Sequence, residues 1–561
     1  MKTLFRNLLL SVLALSTVCS CTVNDDPIEY ELSHDLSPIV VSIKVLDSEG
    51  YSVLTTANTR NIAAVYRGMN YPCKSRTRYY MPDFFGLVRV NDYLLFGELD
   101  ATKVYEGEEL VIKWGDGSPD DVITFSHQIT WDNNGKPRYR QLFMLNGKVV
   151  DGQITIYKDL KTPDPTDSPR SDIPLNSAEI AYVSSINDFG LRLMRQMISD
   201  PAIATSNYVF SPLNATFAVS MLSCGAGLGQ TEQNEVLRAF TGQAEPAHEL
   251  ISQDVFNSLF QKIIEYLPLT DASVSAYLAN ALFLRNDFTL YAGYPDFLAN
   301  YYSADYARLD FSSPEALTYI NDWSKQKTHG LLTKTLGHVS ADDAAYFLSA
   351  ATLKAAWSVP FDKQLTSRHA FTTADGTTAQ MPMMHSTRTT PFATAASFQA
   401  VKLPFGNGAL ELTAMLPATR QTPATLLREL TARQLDDIAW EDAVVDIVLP
   451  TFISQACHSK LISQLGEIGI KRMFSPEASY KSITPNEGFK INLLQQNVLL
   501  AFDENGCQTG TDADNAPAQE TEAPAAHTFH ANRPFLYLIR EISSGAIIFA
   551  GYYNGPESAA N

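Results

Sequence analysis

The sequence predicts two folded parts in tandem: an all-β, Ig-like sandwich, then a larger α+β domain with an exposed loop near its C-terminal end. Three observations predict this. Short β-branched and aromatic runs, separated by Gly, Asn and Asp turns, fill residues 33–160 and end at the Pro-rich KTPDPTDSPRSDIP. From Asn176 onward helical patterns come first, strands and helices then mix, and the end is strand-rich. That order belongs to an α+β domain rather than to alternating βαβ units. Finally, two strand-like runs, FKINLLQQNVLLAFDENG and FHANRPFLYLIREISSGAIIFAGYYNGP, are separated by GCQTGTDADNAPAQETEAPAA, which has nothing large and apolar. Loops of such length are uncommon in compact domains and usually functional.

Taken in chain order, residues 1–20 read as a secretory leader: Lys2 and Arg6, the apolar run Leu8 to Val18, then small residues. The run is too short to span a bilayer. Val18-Cys19-Ser20-Cys21 resembles a bacterial lipobox with Cys21 as the lipidated residue, and Asn24-Asp25-Asp26 resembles the acidic export signal of Bacteroidetes surface lipoproteins. The expectation is Sec-dependent export to the outer membrane, on the cell surface or facing the periplasm, with a lipidated tether at 21–32. The lipid is then the only membrane contact. Residues 33–160 carry the strand runs Ile39–Leu46, Phe85–Val90, Glu109–Trp114 and Val122–Phe125, with turns at Asn133-Asn134-Gly135 and Asn146-Gly147. No chemistry is visible there, and a spacer fits as well as a partner-binding module. Residues 161–174 read as an extended linker, and 175–556 as the α+β domain, with helical patterns at Ile180–Met197, Ala215–Cys224 and Leu250–Leu267.

Composition narrows the function. The 561 residues are 45% apolar, ample for packed cores. The formal charge is −19, and −21 once Lys2 and Arg6 leave with the leader, which argues against nucleic acid and anionic headgroups as partners. Beyond the leader and Cys21 only Cys73, Cys224, Cys457 and Cys507 remain, too scattered for a disulfide framework. Cys224 and Cys457 read as core thiols and Cys507 as exposed. No metal or cofactor is expected, since no CxxC pair or histidine at ligand spacing occurs. Gly225 to Thr231 (GAGLGQT) superficially looks like a phosphate loop but lacks the lysine and follows a helix, so a glycine-rich helix end is the better reading. GxSxG and HExxH are absent, and an enzyme is not expected.

The loop has a pattern of its own. Strand side chains alternate faces. From Gly506, one face would carry Cys507, Thr509, Thr511 and Ala513, all small; the other would carry Gln508, Gly510, Asp512 and Asp514, suited to solvent. A strand destined for insertion into a sheet has reason to alternate this way.

Around this loop the sequence resembles the serpins. Asn207 with Phe210-Ser211-Pro212-Leu213 is similar to the family's NxxFSPxS segment, Ala279-Asn280-Ala281-Leu282-Phe283 to ANxLF, and Ile320-Asn321-Asp322-Trp323 to INxW. Lys354-Ala355-Ala356-Trp357 with Pro360-Phe361, Met381-Pro382-Met383-Met384, Leu449-Pro450-Thr451-Phe452 and Arg533-Pro534-Phe535-Leu536 follow in the family's order. The resemblance implies a serpin fold of three β-sheets with eight or nine helices and a reactive-centre loop. It implies a monomeric inhibitor that traps a serine, or else a cysteine, endopeptidase by suicide cleavage. It assigns a hinge (Glu504, Gly506, Cys507, Thr509, Thr511, Ala513), a shutter (Asn207, Ser211, Pro212, Asn214, Gln496) and a breach (Lys354, Trp357). Departures are Asn214 for a serine, Gln496 for the shutter histidine, Ser349 and Ala355 for the breach asparagine and glycine, Cys507 for Thr or Ser, and Asp512 for alanine. Asn and Gln still donate and accept hydrogen bonds.

The family's spacing, counted from Gly506, implies a bait bond at Glu520-Thr521, with Thr521-Glu522 and Glu522-Ala523 as alternatives; counted back from Pro534 it implies a bond after Ala523, before an unfavourable proline. Absence of Lys and Arg from 491 to 532, and of aromatics in the loop, disfavours trypsin-like and chymotrypsin-like targets. Elastase-like or Glu-specific serine proteases remain, with papain-like cysteine proteases behind. A non-inhibitory serpin and a surface adhesion or scaffold lipoprotein stay open.

Overall fold

Asn146 and Gly147 both hold positive φ, 50° and 78°, as a two-residue hairpin turn requires. They join the strands Pro137–Leu145 and Lys148–Val150. The computed structural model describes residues 39–54, 59, 61–75, 85–90, 92–99, 104–131, 137–160, 170–225, 231–243, 253–507 and 524–556. The Asn133 turn, Cys21, Thr509, Thr511, Ala513, Glu520, Thr521, Glu522 and Ala523 lie outside the described residues. Two compact units result, one up to Leu160 and one from Arg170.

The first unit is a pair of sheets. One, of five strands, centres on Ile39–Leu46, flanked by Ile154–Tyr157 and Tyr93–Leu99; the other, of six, centres on Asp121–Trp131 and Glu109–Lys113. Alternate residues point inward, so Val41, Ile43, Leu94 and Phe96 of one sheet share a core with Tyr66, Leu110, Ile112 and Phe125 of the other. Under that core, Trp114 Nε1 donates to Asp121 (2.8 Å), which also takes Lys158 (2.8 Å) and Asn146 (2.7 Å). Burial opposes the charge on Asp121, yet these three donors hold its carboxyl below the usual range.

The second unit begins with α1 (Ser177–Met197), started by a capping box between Asn176 and Glu179. Then come α2 (Pro201–Thr205), β1 (Tyr208–Phe210), α3 (Pro212–Gly225), α4 (Thr231–Thr241), α5 (Gln253–Thr270), β2 (Ser275–Arg285), α6 (Gly293–Tyr302), β3 (Asp305–Leu309) and α7 (Pro314–Lys327). The middle comprises β4 (Ala345–Ala356), β5 (Ser367–Thr372), β6 (Thr378–Thr394), β7 (Phe398–Phe405), β8 (Leu410–Pro417), α8 (Pro423–Glu429), α9 (Ala432–Asp436), β9 (Glu441–Pro450), β10 (Phe452–His458) and α10 (Leu461–Glu467). After the 3-10 turn Arg472–Phe474 come β11 (Ile491–Asp503), β12 (Gly506–Cys507), β13 (His527–His530), β14 (Phe535–Glu541) and β15 (Ile547–Tyr553). The described residues of this unit thus hold ten α-helices, in line with the about eight or nine expected. Two of them, α2 and α9, are five-residue helices, α2 started by the Asp200 side chain and α9 by a capping box between Thr431 and Gln434. Residues Ser171 to Ile173, read as linker, belong to this unit: Ser171 bonds the Leu269 carbonyl (2.6 Å) and Ile173 is 4% exposed. Composition cannot see the apolar site that receives Ile173.

Three sheets organise it. The large one runs β3-β2-β4-β12-β11-β10. The long strand β6 is shared by the other two: it pairs β5 and β9 along most of its length, and β7 at its end, where β7-β8-β14-β15-β1 continue. β4 and β11 are buried on both faces. Phe347, Ala351, Leu353 and Ala355 look into the main core with α1, α3 and α5, while Tyr346, Leu348 and Ala350 look to the other side, the front, against Ile320 and Trp323 of α7.

Candidate functional site

β4 and β11 run parallel and pair from Ala345–Ile491 up to Thr352–Leu499. Above that they part, and the two residues of β12 sit between them, antiparallel to both: Cys507 faces Ala355 and Phe502, and Gly506 faces Ala356 and Asp503. The entry is tight. Asp503 Oδ1 accepts from Asn505 N (2.8 Å) and Gly506 N (3.2 Å), closing the turn. Trp357 N donates to the Asn505 carbonyl (2.8 Å), Trp357 Nε1 to the Asp503 carbonyl (2.9 Å) and Phe361 N to the Glu504 carbonyl (2.9 Å). The indole stacks on Phe405 with centroids 4.5 Å apart. Gly506 has φ +147°, and a Cβ there would meet the Ala355 carbonyl oxygen at 2.0 Å. Only glycine fits. Cys507, expected to be exposed, is 0% exposed; burial raises its thiol pKa, so it is seated as a small hydrophobe.

Lower in the sheet, Gln496 is fully buried. Its Oε1 accepts from Ser211 N (2.8 Å) and its Nε2 donates to the Ser211 carbonyl (3.0 Å), so one amide serves both backbone groups where β1 leads into α3 at Pro212. Ser211 Oγ reaches the Ile548 carbonyl (2.7 Å). Beside it, Asn280 donates to Asn214 Oδ1 (2.5 Å) and accepts from Ser349 Oγ (2.6 Å). Ser349 therefore sits with Asn214 and Gln496 at mid-sheet, not at the breach: six residues of extended strand separate it from Ala355, about 20 Å. Asn207 does not join this network; it holds Asn554 and Gly555 at the chain's end (2.8 and 2.9 Å).

His458 carries no local signal in the sequence. It pairs with Gln496 across β10 and β11, and its Nε2 donates to the Val209 carbonyl (2.7 Å) between the rings of Tyr208 and Phe210. Desolvation pulls its pKa down to about 4, against a smaller opposing effect of the carbonyl. A histidine with its folded pKa below its unfolded value is neutral in the fold, so protons favour the unfolded chain. Stability is full above about pH 6.5 and is lost as pH falls towards 4, by about 3 kcal/mol in total. Urea unfolding at pH 7 and pH 4.5 should show most of this loss, and His458→Gln should remove it; an unchanged difference would assign the pH effect elsewhere.

Two other expectations meet the front of the sheet. Lys354 is exposed there. The face assigned to Asp512 was expected to be solvated, but lower down it is closed: Leu348, Ala350, Gln495 and Asn497 are each under 5% exposed, beneath the strap after α7. Cys457, read as a core thiol, is exposed, because β10 is an edge strand. Cys224 is largely enclosed against Asn257 (3.3 Å), its thiol pushed up to about 12 by burial. Past the loop, β13 lies along β9. It is fastened by His530 to Asp446 (2.8 Å), which also takes His385 (2.7 Å), and by His527 to Glu441 (3.0 Å). Both histidines flanking the loop's end thus hold a strand in place. Among the described residues no group of His, Cys, Asp or Glu is arranged to hold a metal.

In the large sheet a two-residue strand thus starts between two parallel neighbours, and in the sequence a long acidic segment follows it. The profile of the family described as Serpin (serine protease inhibitor) matches residues 184–556. Serpin-Z7 of Hordeum vulgare is 28% identical over 66% of this chain and 94% of its own length, and plasminogen activator inhibitor 1 of Bos taurus 26% identical over 67% and 93%. Among solved structures, the thermophilic serpin tengpin in its native state aligns with TM-score 0.61 at 21% identity, covering 69% of this chain and 97% of that one. Thyroxine-binding globulin in complex with thyroxine aligns with TM-score 0.60 at 22% identity, over 67% and 99%. The chain belongs to the serpin family. By that membership it is a protease inhibitor, not an enzyme.

Proposed function

We propose that the protein inhibits an endopeptidase by offering the 508–523 segment as bait and, once cut, drawing it into the large sheet between β4 and β11. The observation that supports this most is the register. Ala355 and Phe502, which flank Cys507, differ by 147 residues, and so do Thr352 and Leu499 in the closed part below. Insertion therefore needs the two strands to part but neither to slip. Fourteen residues, from Cys507 to Glu520, at about 3.3 Å each would carry an acylated protease roughly 45 Å. Release of strain by loop insertion is a recognised switch, and the trap works if insertion outruns hydrolysis of the acyl-enzyme.

The bait bond we favour is Glu520-Thr521, which points to a Glu-specific or elastase-like serine protease before a papain-like one. Incubation with glutamyl endopeptidase, elastase, papain and trypsin should give an SDS-stable complex with one of the first three. Cleavage by all without any complex would make the protein a substrate only. That outcome is the non-inhibitory reading, which draws on Asp512: its face of the inserted strand meets a closed surface.

A further inference from the structure

The front of the large sheet has a cleft of about 290 Å³, where the strap after α7 lies over β10 and β11; Lys334, Thr335, Leu336, Gln455, Cys457 and Asn497 line it. Two of these are buried polar side chains with an atom left over. Asn497 Nδ2 and Thr335 Oγ1, on residues each 3% exposed, have no hydrogen-bond partner. Buried donors without partners are costly and uncommon in native proteins. Lys334, at the exposed rim, makes no ion pair among the described residues. An amide N–H, a hydroxyl and an ammonium converging on one cleft fit a carboxylate.

Insertion of the loop would bring a carboxylate to this place. Continuing β12 downward in the register of Cys507 puts Thr509 between Leu353 and Leu500, Thr511 between Ala351 and Val498, and Ala513 between Ser349 and Gln496. All three take the core face, as Cys507 does. Asp512 takes the front face, between Ala350 and Asn497. Residues opposite each other on neighbouring strands have Cβ atoms about 5 Å apart, within reach of an Asp–Asn hydrogen bond. Asp512 is also the first acid beyond the hinge, in a segment without Lys or Arg. We infer that the cleft is the receptor for the Asp512 carboxylate in the inserted state. A residue that looks incompatible with burial is met there by donors left open in the uninserted fold. This rests on the loop-insertion reading above.

The test uses the full chain, intact and nicked by glutamyl endopeptidase, with the cut mapped by mass spectrometry. Asn497→Leu should leave the Tm of the intact protein unchanged or slightly raised, because it removes an unpartnered amide, and should lower that of the nicked protein by about 2–4 °C. In an Asp512→Ala background the lowering should vanish. Thr335→Val, on the strap rather than in the sheet, gives the same comparison should Asn497→Leu fold poorly. Equal shifts in intact and nicked protein, or a lowering that persists without Asp512, would overturn the receptor while leaving insertion intact. No rise in Tm on nicking the unaltered protein would overturn both.

Discussion

Cleavage within residues 508–523 is expected to raise the midpoint of thermal unfolding by at least about 10 °C, from some ten added ladder hydrogen bonds at about 1 kcal/mol each. β4 and β11 cease to pair above Thr352 and Leu499. Above that point, among the described residues, Gly506 and Cys507 fill the gap, and below it a single parallel ladder closes the sheet. A full strand inserted there replaces that one parallel ladder by two antiparallel ones, which are slightly more stable per residue. It also buries Thr509, Thr511 and Ala513 against the main core, where Leu353, Ala351 and Val498 already lie. While the loop is uncut, its far end is tied to β13, and β13 to Asp446 and Glu441, which opposes insertion. Calorimetry of intact and nicked protein reads the difference directly. A nicked form that melts with the intact one would remove the driving force on which inhibition depends.

Replacing Gly506 by alanine should have the next largest effect. The new Cβ would lie 2.0 Å from the Ala355 carbonyl oxygen and 2.8 Å from Ala356 Cα, both backbone atoms that cannot swing aside, at a φ of +147° that L residues rarely adopt. Accommodating it means pushing β12 out of the sheet, with loss of the Cys507 pairs to Ala355 and Phe502. Strain of this kind costs about 1–3 kcal/mol, enough to slow insertion roughly 5- to 150-fold if the transition state feels it. More protease should then escape as free enzyme, and less be caught per molecule cut. Thiol labelling gives an independent readout. In the unaltered protein Cys457 should react and Cys507 should not, since one is exposed and the other buried; Gly506→Ala should make Cys507 reactive. Unchanged trapping together with an unreactive Cys507 would show that the sheet absorbs the methyl group.

Much of this was legible in the chain. Asn146-Gly147 announced a hairpin through its tolerance of positive φ, and the motif series from Phe210-Ser211-Pro212 to Arg533-Pro534-Phe535 announced the family. Gly506 stood out as a hinge, although the oxygen that excludes every other residue comes from Ala355, 151 positions earlier. Cys507 and Cys457 were read the wrong way round. A thiol gives no local signal of whether its strand ends up central or at an edge, and here β12 is central while β10 is the edge. His458 escaped notice for a similar reason, since its partner Val209 is far off in sequence and no spacing rule links them.

By itself, then, the sequence determined the local things: periodicity, turn chemistry and the small-residue alternation after Gly506. Those depend on neighbours a few residues away, which composition and order record. What the tertiary structure alone decided is which face is closed and which donor is left open. The cover over Asn497, the unused amide beneath it and the common register of hinge and sheet all arise where segments more than a hundred residues apart meet.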